Sequence, residues 1–505
     1  MSEHHVPDLL LFGVRRTPDK VCVAQGDASL TFAQVHGRAG RAGAVLQAHG
    51  VRRGDRVALL AANELQFLEL QVACQRIGAA FVPVNFRLAR PEIEALVADC
   101  RPVVMIHGPG YGAAADGLDI PHTLHLGQDG VGTSYDAALA AQSSSPHDIG
   151  MLPADGIAQI PYTSGTTGRA KGAIVRNSAL FGRVSALMAT MAIQRDDVFL
   201  QTLPLFHLAS TVSFAYTAAG ASCITLANFE PTHTLRIIER GQVTHTLVVP
   251  TIIDALARTV PICDADLSSL RTVFYGASPI PASMLSNALA TLPCGFAQLY
   301  GMTEAGIAVM LPPEDHNPQT KPGLLSAAGR DVMFYRTRVV RPDGTACAPG
   351  EFGEITMAGP GLFDGYWNAP EATAQTLRAG QMSTGDGGYV DEAGYLYLTD
   401  RIKDMIITGG ENVFCPEVEA VLAAHPAVTE VAVIGLPDAT WGQRVHAVLV
   451  TAPGADTTPE DLDAWCRERL AGYKRPRSYE FVAALPRNAV GKILKRELRV
   501  DVEAL

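Results

Sequence analysis

The sequence predicts an α/β protein: a large N-terminal domain of layered α/β subdomains with a β-rich part, then a small C-terminal α+β domain. Three observations carry this. Through the first 140 residues, short apolar runs alternate with runs at helical spacing, the strand–helix–strand pattern of a parallel sheet covered by helices. The alternation resumes after residue 178, and residues 336–399 then shorten into strand-like runs with turns at Asp343-Gly344, Asp364-Gly365 and Glu392-Ala393-Gly394. After Arg401 a new unit of about a hundred residues begins, a normal domain size. The expected domains are therefore residues 1–401 and 402–505.

The elements follow in order. Thr31-Phe32-Ala33-Gln34 has the form of a capping box, opening a helix that Gly50 would stop. Arg56–Leu60 reads as a strand, Glu64–Ile77 as a helix, Ala80–Val84 as a strand, Pro91–Ala98 as a helix and Val103–Ile106 as a strand. Gly108-Pro109-Gly110-Tyr111-Gly112-Ala113 can be aligned with a dinucleotide fingerprint. Pro109 stiffens the turn, however, and no acid closes the next strand, so the match is weak. Residues 141–156 form a loop-like boundary. Beyond it come a helix over 180–191, strands at Val198–Leu200, Thr246–Val249 and Thr272–Tyr275, and a helix from Pro250 to Arg258. In the last unit, strands at 405–407, 431–434 and 445–450 accompany helices at 416–424 and 459–470.

Composition excludes several classes. The 505 residues carry a net charge of -11 with 48% apolar and 18% charged residues, an ordinary globular balance without the basic excess of a nucleic-acid binder. Nine cysteines are scattered with no Cys-x-x-Cys, which fits a reduced, cytoplasmic setting. The N-terminus lacks the features of a signal peptide. Leu208–Ala227 is uncharged for twenty residues, long enough to cross a bilayer. Its Ser, Thr, Ala and Gly content and the break at Gly220 favour a buried helix followed by a buried strand. No transmembrane segment is expected, and the assembly state is open, a homodimer included.

Chemistry concentrates at Tyr162-Thr163-Ser164-Gly165-Thr166-Thr167-Gly168-Arg169-Ala170-Lys171-Gly172. Glycines let backbone N–H groups approach an anion, hydroxyls donate hydrogen bonds, and two cations supply charge. A P-loop is excluded because Gly172 follows Lys171. Alone, the stretch could also be a polar surface loop. Four further polar stretches stand out: Gln298–Gly306 with Tyr300-Gly301-Met302-Thr303-Glu304; Ser383–Tyr389 around Asp386; Asp400–Asp404 continuing to Thr408-Gly409-Gly410; and Pro486–Ile493 with Lys492. Singly, each admits a plainer reading. Tyr300 could be core, Asp386 a turn residue, Lys492 a solvated charge, and Glu304 part of the first turn of a helix capped by Thr303.

Together the five stretches resemble the adenylate-forming superfamily of acyl-CoA synthetases, peptide-synthetase adenylation domains and beetle luciferases. The resemblance runs from about residue 30 to 497, with the motifs in family order. It implies ATP, Mg²⁺ and CoA as ligands and a mobile C-terminal domain. Thr163, Ser164, Gly165, Thr166, Thr167, Gly168 and Lys171 would hold the β- and γ-phosphates. Glu304 would hold Mg²⁺, a hard cation that prefers oxygen, and Thr303 would hydrogen-bond the α-phosphate. Tyr300 would face adenine on one side and Gly276-Ala277-Ser278 on the other, with Gly301 also among the cofactor-binding candidates. Asp386 would take the ribose hydroxyls with Arg401 nearby, and Lys492 would bridge the acid's carboxylate and the α-phosphate. Lys403 matches the hinge, and Gly409 and Gly410 match the loop lining a pantetheine tunnel. The basic turn 473–477 offers cations to the CoA phosphates, or is merely solvated. Ala170, Asn177 and Gly387 depart from the residues usual at their positions without removing a needed charge.

In this family the segment after Pro204-Leu205-Phe206-His207 and residues near Gly301 and Ile307 select the acid, and His207 joins the catalytic candidates. Leu208–Phe214 contains no charged residue, which suits a hydrophobic tail and disfavours a second carboxylate or an ammonium. The implied activity is an ATP-dependent acyl-CoA ligase acting through an acyl-AMP, for a fatty or aryl acid, with aliphatic acids ahead of aryl ones. The alternative is an acyl-AMP ligase that loads a carrier protein. A luciferase-like oxygenase and a non-catalytic fatty-acid-binding protein stand further off.

Overall fold

The structure is a computed structural model. It describes residues 4–499 apart from 129, 144–149, 164–169, 403, 439, 453, 456, 488–492 and 496. The chain forms two compact units, one of residues 1–337 and 357–383, the other of 338–356 and 384–505. This grouping describes compactness. The division expected after Arg401 falls inside the second of these units.

Two large sheets organise the first unit. One has seven strands in the order Val175–Arg176, Ile157–Gln159, Ala80–Val84, Arg56–Leu60, Val104–His107, His122–His125 and Thr133–Ser134. All its neighbours are parallel except the first pair. The other has nine strands, with a parallel centre running Gly295–Met302, Thr272–Gly276, His245–Val248, Val198–Gln201, Ser222–Thr225 and Val21–Gln25. Antiparallel strands close its two edges. Strands such as Ala80–Val84 are buried at every residue, as a sheet covered on both faces requires.

Local chemistry accounts for the elements that frame the site. Thr31 caps helix Phe32–Ala48 through the reciprocal bonds with Gln34 that its sequence predicts. Helix Ala209–Ala218 ends at Ala219, the chain reverses at Gly220 with φ +81°, and strand Ser222–Thr225 follows. The uncharged span is thus a buried helix and strand. Among the described residues no helix is long and apolar enough to cross a membrane. Helix Gln66–Ile77 starts two residues later than its periodicity suggests, which leaves Asn63 and Glu64 in the preceding loop.

In the second unit, strands Glu411–Val413, Ile406–Thr408, Gly442–Thr451 and Val428–Asp438 form a sheet joined by Ser478–Phe481. Helices Cys415–Ala423 and Pro459–Arg467 contribute Val418, Leu422, Leu462 and Cys466 to its core. The mixture of antiparallel strands and helices is the α+β pattern expected for the C-terminal part.

Candidate active site

The ends of the phosphate-loop candidate are brought together by a short antiparallel ladder, Tyr162–Thr163 against Lys171–Gly172, with Thr163 opposite Lys171. The Thr163 hydroxyl donates to the Lys171 carbonyl at 3.4 Å. Ser164, Gly165, Thr166, Thr167 and Gly168 lie outside the described residues. A side chain at Gly172 would place Cβ 2.6 Å from Ile160 Cγ2, so glycine lets the ladder sit against the sheet. The Trp367 amide donates to the Gly172 carbonyl at 2.7 Å, tying this ladder to a third segment.

Glu304 lies in the turn of a hairpin, between strands Gly295–Met302 and Gly306–Leu311. The alternative reading, a first helical turn capped by Thr303, does not hold. The turn is tight because Gly301 and Gly306 face each other: a Cβ on Gly301 would lie 2.1 Å from the Gly306 carbonyl oxygen. Glu304 is only 8% exposed. Its Oε1 accepts from the Tyr366 hydroxyl at 2.7 Å, while Oε2 accepts no hydrogen bond among the described residues. One carboxylate oxygen therefore remains for a hard cation, and the residue fits Mg²⁺. The ring of Tyr366 also lies 5.4 Å from Lys171 Nζ, within range of a cation–π attraction. Tyr366 thus links the phosphate-loop lysine to the candidate metal carboxylate. Sequence reading treats Asp364-Gly365 as a turn and passes over it. The aromatic pair Tyr366-Trp367 directly after that turn is the signal available.

Tyr300 and Gly301 lie inside the strand that ends at the turn, with Tyr300 half-buried. Gly276 ends the neighbouring strand, opposite Leu299 in the ladder. A Cβ there would come 2.3 Å from the Leu299 carbonyl oxygen. Ala277 takes φ +68°, a left-handed conformation that costs a residue with a Cβ about 1 kcal/mol or more. Ala277 and Ser278 are exposed. The structure therefore brings Gly276 beside the Tyr300 strand and sets the next two residues on an unusual, open turn.

The loop 203–207 is held by Asn63, which is 4% exposed. Its Nδ2 donates to the carbonyls of Leu203 at 3.1 Å and Leu226 at 2.9 Å, and its Oδ1 accepts from the Leu205 amide at 2.8 Å. The His207 ring packs on Phe206 at 4.2 Å, and Phe206 meets Phe86 edge-on. Burial, with the Arg87 cation as a smaller cause, lowers the His207 pKa to about 4. The imidazole is therefore neutral at pH 7. Between pH 6.5 and about 4 the unfolded chain binds a proton here and the folded one does not, so stability rises with pH across that window. His207→Asn is expected to flatten this part of the melting-temperature profile and leave pH 7–8 unchanged. An undiminished slope would contradict the assignment.

Ser210, Ser213 and Phe214 of the next helix line a pocket with Leu68, Gln71 and Glu64. The wall itself is uncharged, as its sequence indicates. The facing loop, however, contributes Glu64, whose carboxyl burial pushes up. Sequence reading missed it because Glu64 is some 140 residues away in the chain.

In the second unit, Asp386 stands opposite Arg401 in an antiparallel ladder, and Arg401 Nε lies 2.9 Å from Asp386 Oδ1. The two cofactor candidates are thus a preformed ion pair. Gly387 has a reason: a Cβ there would lie 2.6 Å from the Phe352 ring, which occupies that space. Asn177, in the first unit, accepts from Gln75 and donates to the Pro153 carbonyl. Nothing in the structure explains Ala170. Gly409 and Gly410 form a two-residue hairpin turn at φ +60° and +86°, the geometry that favours glycine at both positions. Gly409 abuts the Trp441 ring, with the Arg477 guanidinium 5.0 Å from the centroid of that ring. Lys474, by contrast, is bound to Glu417 at 2.7 Å. Lys403 and Lys492 lie outside the described residues. Beside Lys492, Arg487 and Ile493 form a β-bridge.

The AMP-binding enzyme family model matches residues 13–367, and the model of that family's C-terminal domain matches 417–492. The chain belongs to this family, the adenylate-forming acyl-CoA synthetases, and its class is the AMP-forming acid–thiol ligases. It is 39% identical to a feruloyl-CoA synthase of an Amycolatopsis species over 96% of both chains. It is 36% identical to the fatty acid–acyl-carrier-protein ligase ScoC of Streptomyces coeruleorubidus, over 96% of this chain and 93% of the other. Among solved structures, o-succinylbenzoate CoA synthetase from Bacillus subtilis, in complex with its acyl-adenylate, superposes with a TM-score of 0.87 at 30% identity, covering 98% of each chain.

Proposed function

We propose that the protein activates a hydroxylated or methoxylated aryl carboxylic acid to its CoA thioester in the cytoplasm, with ATP as co-substrate. The observation that carries the acid class is the 39% identity to a feruloyl-CoA synthase over 96% of both chains. The small cavity at the helix after His207 supports it in kind: Ser210, Ser213, Gln71 and Glu64 place hydrogen-bonding groups there that a long alkyl chain would leave unmatched. This reverses the order in which the sequence alone places aliphatic and aryl acids.

We assign the roles from the family resemblance, with the geometry of the described residues in support. A carboxylate oxygen of the acid attacks the α-phosphorus of ATP, the Pα–O–Pβ bond breaks, and pyrophosphate leaves. Two anions approach each other, so fixed positive charge and hydrogen-bond donors must already be in place. Thr163 and Lys171 would hold the leaving pyrophosphate together with 164–168. Thr303 would hold the α-phosphate, and Lys492 would bridge it to the carboxylate. Glu304 would hold Mg²⁺, which neutralises phosphate charge when bound. Tyr300 and Gly276 would flank adenine, and Asp386 with Arg401 would take the ribose hydroxyls. In the second step the CoA sulfur attacks the acyl carbon, the C–O bond to AMP breaks, and AMP leaves. The glycine turn 409–410 and the Trp441–Arg477 pair support CoA as the acceptor. Movement of residues 402–505 about Lys403 between the two steps belongs to the same proposal.

The test is thioester formation across cinnamates, benzoates and fatty acids of graded length, with free CoA or a phosphopantetheinyl carrier protein as acceptor. Hydroxycinnamates with CoA are expected to give the highest kcat/KM, at least about tenfold above the saturated fatty acids. A preference for long alkyl acids would overturn the acid class, and transfer to the carrier alone would establish the carrier-loading ligase.

A further inference from the structure

Arg183, on helix Asn177–Thr190, heads the large side chains that are fully buried, at 2% exposure. Its Nε donates to the Gly361 carbonyl at 2.7 Å and its Nη2 to the Thr303 carbonyl at 2.9 Å. No carboxylate pairs with it at salt-bridge distance among the described residues. Burying a guanidinium without such a partner is costly, so its retention at this point calls for a specific reason.

The surroundings are shaped to admit it. A Cβ on Gly306 would lie 2.9 Å from Arg183 Cγ, and one on Gly361 would lie 2.6 Å from the same atom. Two glycines from different segments thus leave a channel for this side chain. It ends at the turn that carries the site's carboxylate. Three consecutive carbonyls of that turn each accept a separate hydrogen bond: Thr303 from Arg183, Glu304 from the Phe363 amide at 2.7 Å, and Ala305 from the Tyr335 hydroxyl at 2.7 Å. Arg183 is the one cation among these donors.

We propose that Arg183 is a positioning residue for the adenylation half-reaction, holding the Thr303 carbonyl from behind so that the Thr303 hydroxyl and Glu304 carboxylate keep a fixed direction toward the nucleotide. This rests on the reading of Thr303 and Glu304 given above. The charge also faces Glu304 through the protein interior. Burial lowers the Arg183 pKa, with Tyr335 and Glu304 opposing that shift, and the group stays a cation at neutral pH. A neutral, unbranched side chain such as methionine would occupy the glycine-lined part of the channel and leave the Thr303 carbonyl unbonded.

Arg183→Met and Arg183→Lys separate positioning from filling. Pyrophosphate release reads the first half-reaction, and thioester formation from supplied acyl-adenylate reads the second. Calorimetric titration with ATP and Mg²⁺ and a thermal melt accompany both. Arg183→Met is expected to lower adenylation roughly 30- to 100-fold, the cost of a displaced group near the reacting atoms. Its effect is expected in kcat, with the KM for ATP and the supplied-adenylate reaction changed by less than about threefold, and Arg183→Lys is expected to recover at least about tenfold. The proposal is overturned if Arg183→Met adenylates like the wild type. Equal loss of both half-reactions, in step with the folded fraction, also overturns it. If Arg183→Met does not fold, Arg183→Lys decides alone: selective loss of adenylation supports the proposal and parallel loss overturns it. Wild-type protein inactive with every acid would instead overturn the functional reading.

Discussion

Lys492→Ala is expected to lower acyl-adenylate formation by about a thousandfold while leaving thioester formation from supplied acyl-adenylate within a few-fold of the wild type. The size follows from the charges. The attacking carboxylate and the α-phosphate repel until a cation bridges them, and one such group in a water-excluded site is commonly worth about 3–4 kcal/mol. The asymmetry follows from the second step, in which a neutral acyl carbon meets the CoA sulfur and no such bridge is required. Alanine removes the ammonium and leaves the remaining ligands of the nucleotide in place. Pyrophosphate release and thioester formation, measured separately, check both halves. Equal loss of the two would contradict a lysine that serves adenylation alone.

Glu304→Gln is expected to reduce adenylation about a hundredfold and to raise the Mg²⁺ concentration needed for half-maximal ATP binding. Glutamine keeps the size of the side chain, and its amide oxygen can still accept from Tyr366, whose hydroxyl bonds Oε1 in the wild type. The negative charge that attracts a hard cation is lost. The fold is little affected, because the turn is held through its carbonyls by Arg183, Phe363 and Tyr335. Titration calorimetry with ATP at graded Mg²⁺ reads the metal effect independently of turnover. An unchanged Mg²⁺ dependence would move the metal role to another group.

Much of this was legible in the sequence, for identifiable reasons. The capping box at Thr31 and Gln34 and the break at Gly220 depend on neighbours within a few residues, so local chemistry reveals them. The phosphate loop, Glu304, Asp386 and Lys492 stand in stretches whose residue types suit one reaction, and their order carries the family. The hairpin that presents Glu304 was less legible, since Gly306–Leu311 is buried at all but one residue and Gly295–Met302 shows no regular in–out alternation. Tyr366 left only the faint signal of an aromatic pair after a turn, and Arg183 left none. Their partners lie 62 and 120 residues away, and neither side chain belongs to a polar run. Glu64 escaped notice likewise, because folding alone sets it against the helix that follows His207.

The central claim is that a carboxylate oxygen attacks the α-phosphorus of ATP and the acid leaves its adenylate by acyl transfer to a thiol. Turnover of an acid labelled with ¹⁸O in both carboxylate oxygens, with ATP, Mg²⁺ and CoA, tests it directly. One labelled oxygen is predicted in AMP and one in the thioester carbonyl, with none in pyrophosphate. Label in inorganic phosphate, accompanied by ADP, would show attack at the γ-phosphorus and contradict the account.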